Sequence, residues 1–238
     1  MIKNYVVFRD WETGSRNRYK CQPIQLAAVI VDLQRMEVVE DSLFNSTLLP
    51  EFDDAKCEEL GIDPIQDDAL KVNGHTREEL AKAPHPKLVW QQYGDYLKNY
   101  NIKGKDGGKW NAPCVAGYNQ TGFDNEIDIR MCQKYGPKLD DFGGWTLYHP
   151  FLRFDVQEEV ASWFACVKIN PQNSISMDAM REYLGYSKDG AHDAKVDVIQ
   201  GADMGIRFWR LKRAIMQGKI DLPQGKKIKF KNCVDGAL

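Results

Sequence analysis

The 238 residues carry 32 lysines and arginines against 34 aspartates and glutamates, a net charge of −2. No global basic field therefore advertises a polyanionic partner, any nucleic-acid contact has to be local, and the length suits one substantial domain with a small appendage. Cys21, Cys57, Cys114, Cys132, Cys166 and Cys233 form no C-x-x-C pair, which argues against a zinc framework and for reduced thiols.

Met1 to Asp10 becomes charged too early for a signal peptide, and no apolar run approaches bilayer length, so a cytoplasmic protein is expected. Asn4 to Asp10 is a β-branched and aromatic run that predicts a buried strand delivering Asp10 at its end. Residues two apart in an extended segment share a face, so Asp10 and Glu12 present two carboxylates to one side, an arrangement suited to a hard divalent cation. The pattern alone arises cheaply: Asp124-Asn125-Glu126 repeats it, and an isolated pair is usually a solvated edge. A polar stretch, Ser15 to Lys20, leads to a second strand over Ile24 to Val31, and a third is expected within Val38 to Leu49, together an antiparallel meander. The acidic, irregular segment after Pro50 has room for a short helix near Asp54 to Leu60. Thr76 and Glu79 form a capping-box pattern, which sets His75 at a helix entrance, where a surface role is the plainer account than contact with a substrate. Leu88, Val89, Tyr93, Tyr96, Leu97 and Tyr100 predict a helix with an aromatic face for the core.

Lys103 to Lys109 lacks the spacing of a phosphate loop and reads as an exposed turn. Ala112 to Tyr118 predicts another buried strand, followed by a helix carrying Ile127, Met131 and Tyr135. Asp124 thus falls at a strand-to-helix transition, where ligands collect in α/β sheets, although capping of its helix accounts for it equally well. Asp155 precedes a helix bearing Val156, Val160, Trp163, Phe164 and Val167 and is expected to cap it; Ser176 does the same for Met177 to Leu184. Gly190 then breaks the chain before a long helix with Val196, Ile199, Ala202, Ile206, Trp209 and Ile215 at helical spacing. That leaves His192 on the loop side, free to reach a reacting water or simply to precede a helix, while Asp197 projects from the helix itself. Beyond Gly218 the composition changes, and Lys226 to Lys231 alternates lysine with apolar residues. Residues 1–218 are expected to form the domain, and residues 219–238 a basic tail or edge extension that could also touch a phosphate backbone.

Placed in order, these acids resemble the three motifs of the DEDDh exonucleases of the DnaQ-like superfamily. Phe8-Arg9-Asp10-Trp11-Glu12-Thr13-Gly14 matches the first, Gly117-Tyr118-Asn119 with Phe123-Asp124 the second, and His192-Asp193-Ala194 with Asp197 the third. The aromatic between the first two acids and the wording of the second motif are similar to the nuclease domain of the bacterial exonuclease I branch, and the match runs from about Val6 to Trp209. The resemblance implies an α/β ribonuclease H-like fold, a mixed central sheet flanked by helices. It implies a 3′→5′ exonuclease that releases 5′-mononucleotides from single-stranded nucleic acid, DNA favoured over RNA, in the setting of DNA replication and repair, with a polymerase or single-strand-binding protein as the kind of partner to look for. Asp10, Glu12, Asp124 and Asp197 would ligate two Mg²⁺ or Mn²⁺ ions about 4 Å apart, which activate water and neutralise charge on the phosphate. His192 would be the general base, since imidazole accepts a proton near neutral pH. Trp11, Thr13, Asn119 and Phe123 would hold the terminal nucleotide, with stacking on Trp11 as a sequence-tolerant contact.

Two departures from the pattern bear on these implications. The further carboxy-terminal domains of the exonuclease I branch have no counterpart here, which sets an expectation of low processivity. Position 119 is Asn where many proofreading relatives have His. An exoribonuclease and a non-catalytic nucleic-acid or polymerase accessory module of the same fold are the competing readings.

Overall fold

The computed structural model describes residues 5–101, 112–137, 147–149, 152–167 and 174–217. The turn expected at Lys103 to Lys109 and the basic tail at 219–238 lie outside them. Strand β1 (Tyr5–Thr13) pairs antiparallel with β2 (Pro23–Asp32), placing Asp10 opposite Ala27 and Glu12 opposite Gln25. On its other edge β1 takes β5 (Cys114–Gly117) in parallel, and β6 (Arg153–Asp155) continues in parallel from β5. Two short strands, β3 (Glu37–Val38) and β4 (Phe44–Thr47), both pair with β2, giving the order β3-β2-β1-β5-β6 with β4 also on β2.

The single third strand expected within Val38 to Leu49 is therefore two. Asp41 takes a left-handed φ of 55°, and the Ser42 hydroxyl accepts from Ile30 N at 3.1 Å while donating to Val39 O at 2.6 Å. A side chain thus replaces the ladder at the turn. Strand β6 was not expected at all: three residues are too few for a period-two signal, and Asp155 reads only as a helix start.

The helices are α1 (Asp54–Leu60), α2 (Asp67–Asn73), α3 (Arg77–Leu80), α4 (Pro86–Lys98), α5 (Asp124–Tyr135), α6 (Val156–Val167), α7 (Met177–Leu184) and α8 (Ala194–Met216). Thr76 and Ser176 each accept from a backbone N–H in the first turn of α3 and α7, as their spacing predicts, and Asp53 does the same for α1. Helix α2 lies in the stretch read as irregular, since seven residues are too short to show an apolar stripe.

Alternation along β1 sorts its side chains onto two cores. Val6 and Phe8 pack with Val156 and Val160 of α6, Met180 of α7 and Val198 and Ala202 of α8. Val7 and Trp11 face the other way, onto Val89, Trp90 and Tyr93 of α4 and Ile127 of α5. Helix α8 lies directly on the sheet because Gly205 meets the Phe8 ring; a Cβ there would sit 2.7 Å from it. Among the described residues no helix is long and apolar enough to cross a membrane.

Candidate active site

Strand parity carries Asp10 and Glu12 past Phe8 on the side of the sheet covered by α8. There one carboxylate oxygen from each of Asp10, Glu12 and Asp197 lies within 4.8 Å of the other two. Asp197 comes from the first turn of α8. Asp124 opens α5, just beyond the end of β5, and its Oδ1 accepts from Trp11 N at 3.0 Å. The N-cap position of α5 is Phe123, which makes no side-chain cap, so Asp124 is tied to β1 rather than capping its own helix. The acids therefore gather at the carboxyl ends of two parallel strands, the place where open α/β sheets collect ligands.

The electrostatics are those of a cluster short of positive charge. Asp10 is pushed well above the usual carboxylate range by burial and then by repulsion from Asp124 and Asp197, against the pull of Arg9 and Arg181. Glu12 is pushed up to about 10 by burial and by Asp10, Asp197 and Asp124. Asp124 rises to about 7, burial leading, with Asp128 adding and Arg9 and Trp11 N opposing. Burial also raises Asp197, against Arg181 and His192. Asp10 and Glu12 stay partly open to solvent, which tempers the dehydration and leaves their mutual repulsion as the strain a cation would relieve. Crowded oxygen donors with no thiol or imidazole among them fit a hard divalent cation such as Mg²⁺ or Mn²⁺.

His192 stands at the margin. Its φ is +66°, its backbone N donates to Asp197 Oδ1 at 3.2 Å, and its imidazole is 44% exposed with Nε2 3.5 Å from Asp178 Oδ2. Asp178 Oδ1 accepts from Arg181 Nη1 at 2.6 Å, Arg181 Nη2 donates to Asp197 Oδ1, and Arg181 Nε donates to Gln200 Oε1 at 2.6 Å. Asp178 and Arg181 had not been singled out in the sequence. Arg181 left one legible signal: a cation on the buried side of α7, next to Met180.

The remaining expected residues divide. Asn119 is exposed, with a φ of +57°, and its N donates to Asp155 Oδ1 at 3.0 Å; Thr121 N donates to Asp155 Oδ2 at 2.9 Å. Asp155 also accepts from Gln157 N at 3.0 Å, so it caps α6 as expected and in addition clamps the turn that holds Asn119. Phe123 packs partly buried against the α4 and α5 core. Thr13 is buried and its hydroxyl donates to Ser15 O at 2.7 Å. Trp11 requires a correction: its ring is 4% exposed, stacks on Trp90 at 6.0 Å and donates from Nε1 to Asp128 Oδ1 at 2.8 Å. Being odd-numbered on β1, it points into the opposite core, and only its backbone borders the acids.

No family model and no curated protein matches the sequence. Solved structures do resemble it. E. coli exonuclease I in complex with a dT13 oligonucleotide matches with a TM-score of 0.68 and 19% identity, over 90% of this chain and 43% of that one. The zinc-ion-bound form of an E. coli exonuclease I complex with single-stranded DNA gives 0.65 and 20%, over 94% and 47%. An SSB/exonuclease I structure with the inhibitor CFAM gives 0.64 and 18%, over 94% and 48%. This chain spans just under half the length of these chains. What the likeness shows is the fold: the mixed, helix-flanked sheet is the ribonuclease H-like α/β arrangement of exonuclease I.

Proposed function

We propose that this chain is a metal-dependent 3′→5′ exonuclease that hydrolyses phosphodiester bonds of single-stranded DNA and releases 5′-mononucleotides. The observation that carries the reading is the convergence of Asp10, Glu12 and Asp197 within 4.8 Å, on the exonuclease I fold. Asp10, Glu12, Asp124 and Asp197 would hold two Mg²⁺ or Mn²⁺ ions. Bound there, such cations lower the pKa of water and neutralise charge developing on the phosphate and the leaving oxygen. His192 takes the proton from the attacking water; its place on an exposed loop lets the imidazole meet a water over the acids. Asp178, against His192 Nε2, is suited to steady the imidazolium that results. Asn119 and the backbone beside Trp11 border the position of the terminal nucleotide. Residues 1–218 are the catalytic unit, and the basic segment 219–238 adds local charge for a phosphate backbone. DNA is favoured over RNA, and a single-strand-binding partner is admitted, because two of the similar structures hold single-stranded DNA and a third includes SSB.

The test is digestion of 3′-tailed single-stranded DNA, duplex DNA and RNA in Mg²⁺, with Asp10→Ala as control. Mononucleotides released from the 3′ end of single-stranded DNA by the wild type and not by Asp10→Ala are expected. Preferential RNA digestion would reassign the substrate, and equal activity of Asp10→Ala would end the proposal.

A further inference from the structure

Gln25 lies on β2 directly opposite Glu12 and is 3% exposed. Its side-chain amide is engaged on every side. Nε2 donates to Asn45 Oδ1 at 3.0 Å and to Asp193 Oδ1 at 2.9 Å. Oε1 accepts from Ala194 N at 3.2 Å and faces His75 Nε2 at 3.1 Å. A backbone N–H can only donate and an ionised carboxylate can only accept, so Ala194 and Asp193 fix which way round the amide stands. His75 Nε2 must then carry the proton it offers to Oε1. His75 Nδ1 lies 3.2 Å from Glu79 Oε1 on α3. One buried amide thus joins β2, β4, the entrance of α3 and the start of α8.

What it holds is the segment that carries His192. Asp193, the N-cap of α8, shares its Oδ1 between Gln25 and Lys195 N at 3.0 Å. His192 just before it has a left-handed backbone, which is strained for a non-glycine residue and persists only where surroundings over-determine it. Asp197 holds His192 N from one side; Gln25 holds residues 193 and 194 from the other. A methionine at position 25 would roughly keep the shape, add no charge opposite Glu12, and remove the donor facing Asp193 together with the acceptor facing Ala194.

We propose that Gln25, backed by His75, is a positioning residue that sets where the His192 imidazole stands beside the carboxylates. The inference rests on the reading of His192 as general base. It accounts for a histidine that the sequence had assigned to a helix entrance, and for a buried amide that no motif includes.

The experiment is a double-mutant cycle on the full chain, reading single-turnover rate, KM for a single-stranded oligothymidylate, Mn²⁺ affinity by calorimetry and thermal midpoint. Gln25→Met is expected to lower the rate about 10- to 100-fold, the range for partners that orient a functional group, with KM and Mn²⁺ affinity within about twofold. In a His192→Ala background the same substitution should cost nothing further. His75→Leu should slow the rate by a smaller factor, and His75→Gln, which keeps a donor near the Nε2 position, should restore it. If His192→Ala is crippled while Gln25→Met acts equally with and without the imidazole, or not at all, the positioning role is wrong and the base reading stands. If His192→Ala is as fast as wild type, the base reading itself falls.

Discussion

The two sides of β1 are built from alternate residues of one strand and treat charge in opposite ways. On the α5 side, Arg9 donates to Asp128 Oδ2 at 2.6 Å and to Asn125 Oδ1 at 2.7 Å, Trp11 Nε1 adds a bond to Asp128, and Arg9 Nη1 lies 3.9 Å from Asp124. Burial alone would lower the Arg9 pKa, but Asp128 and Asp124 more than reverse it, and the guanidinium stays charged. On the α8 side, Asp10, Glu12 and Asp197 converge with no such partner for the first two among the described residues, and their pKa values are driven up. The lesson is that one side is closed within the protein, whereas the other is left electrostatically incomplete. A folded chain keeps such a set of acids in place when something outside it completes the charge balance.

The sharpest way to separate the sides is Asp10→Asn, which removes a charge from the incomplete one. It should lower the proposed exonuclease activity by about 10²- to 10³-fold, the scale of losing a group that stabilises transition-state charge, while the metal-free thermal midpoint holds or rises. Arg9→Met attacks the complete side instead. Leaving Asp128 buried without its partner should cost about 3–5 kcal/mol in denaturant unfolding, with or without Mg²⁺.

The acid side also predicts a pH dependence of definite sign. Asp124, raised to about 7, and Glu12, raised to about 10, bind protons in the folded chain over a range where an unfolded carboxylate, titrating near pH 4, does not. Their contribution is present below roughly pH 4 and is lost as pH rises through the folded values, so the metal-free thermal midpoint should fall from about pH 5.5 to 8.5. Mn²⁺ should restore it more at the upper end, because ligation needs the deprotonated carboxylates. A Glu12→Gln variant should flatten the slope. The smallest effect belongs to Trp11→Phe: losing a bond to a charged acceptor should cost about 1.5–3 kcal/mol of stability, with activity per folded molecule retained.

These contrasts also mark what the sequence discloses. Strand period places Asp10 and Glu12 on one side and, applied one residue over, would have turned Trp11 away from them; the aromatic was misread because an exposed ring suits a nucleotide. Caps at Thr76 and Ser176 are local, so spacing alone reveals them. The clamp of Asp155 on Asn119 and Thr121, the pairing of Arg181 with Asp197, and the Gln25 amide between His75 and Asp193 join segments far apart in the chain. No periodicity records such contacts. Strand β6 and helix α2 were missed for a different reason, being shorter than the windows in which a period shows.

The central claim is that the open side of β1 is a divalent-cation site. Anomalous diffraction from crystals soaked in Mn²⁺ tests it most directly. The account predicts manganese density bridging Asp10, Glu12 and Asp197, with Asp124 in reach of a second ion and both peaks lost in Asp10→Asn; saturating Mn²⁺ that leaves those carboxylates bare would contradict it.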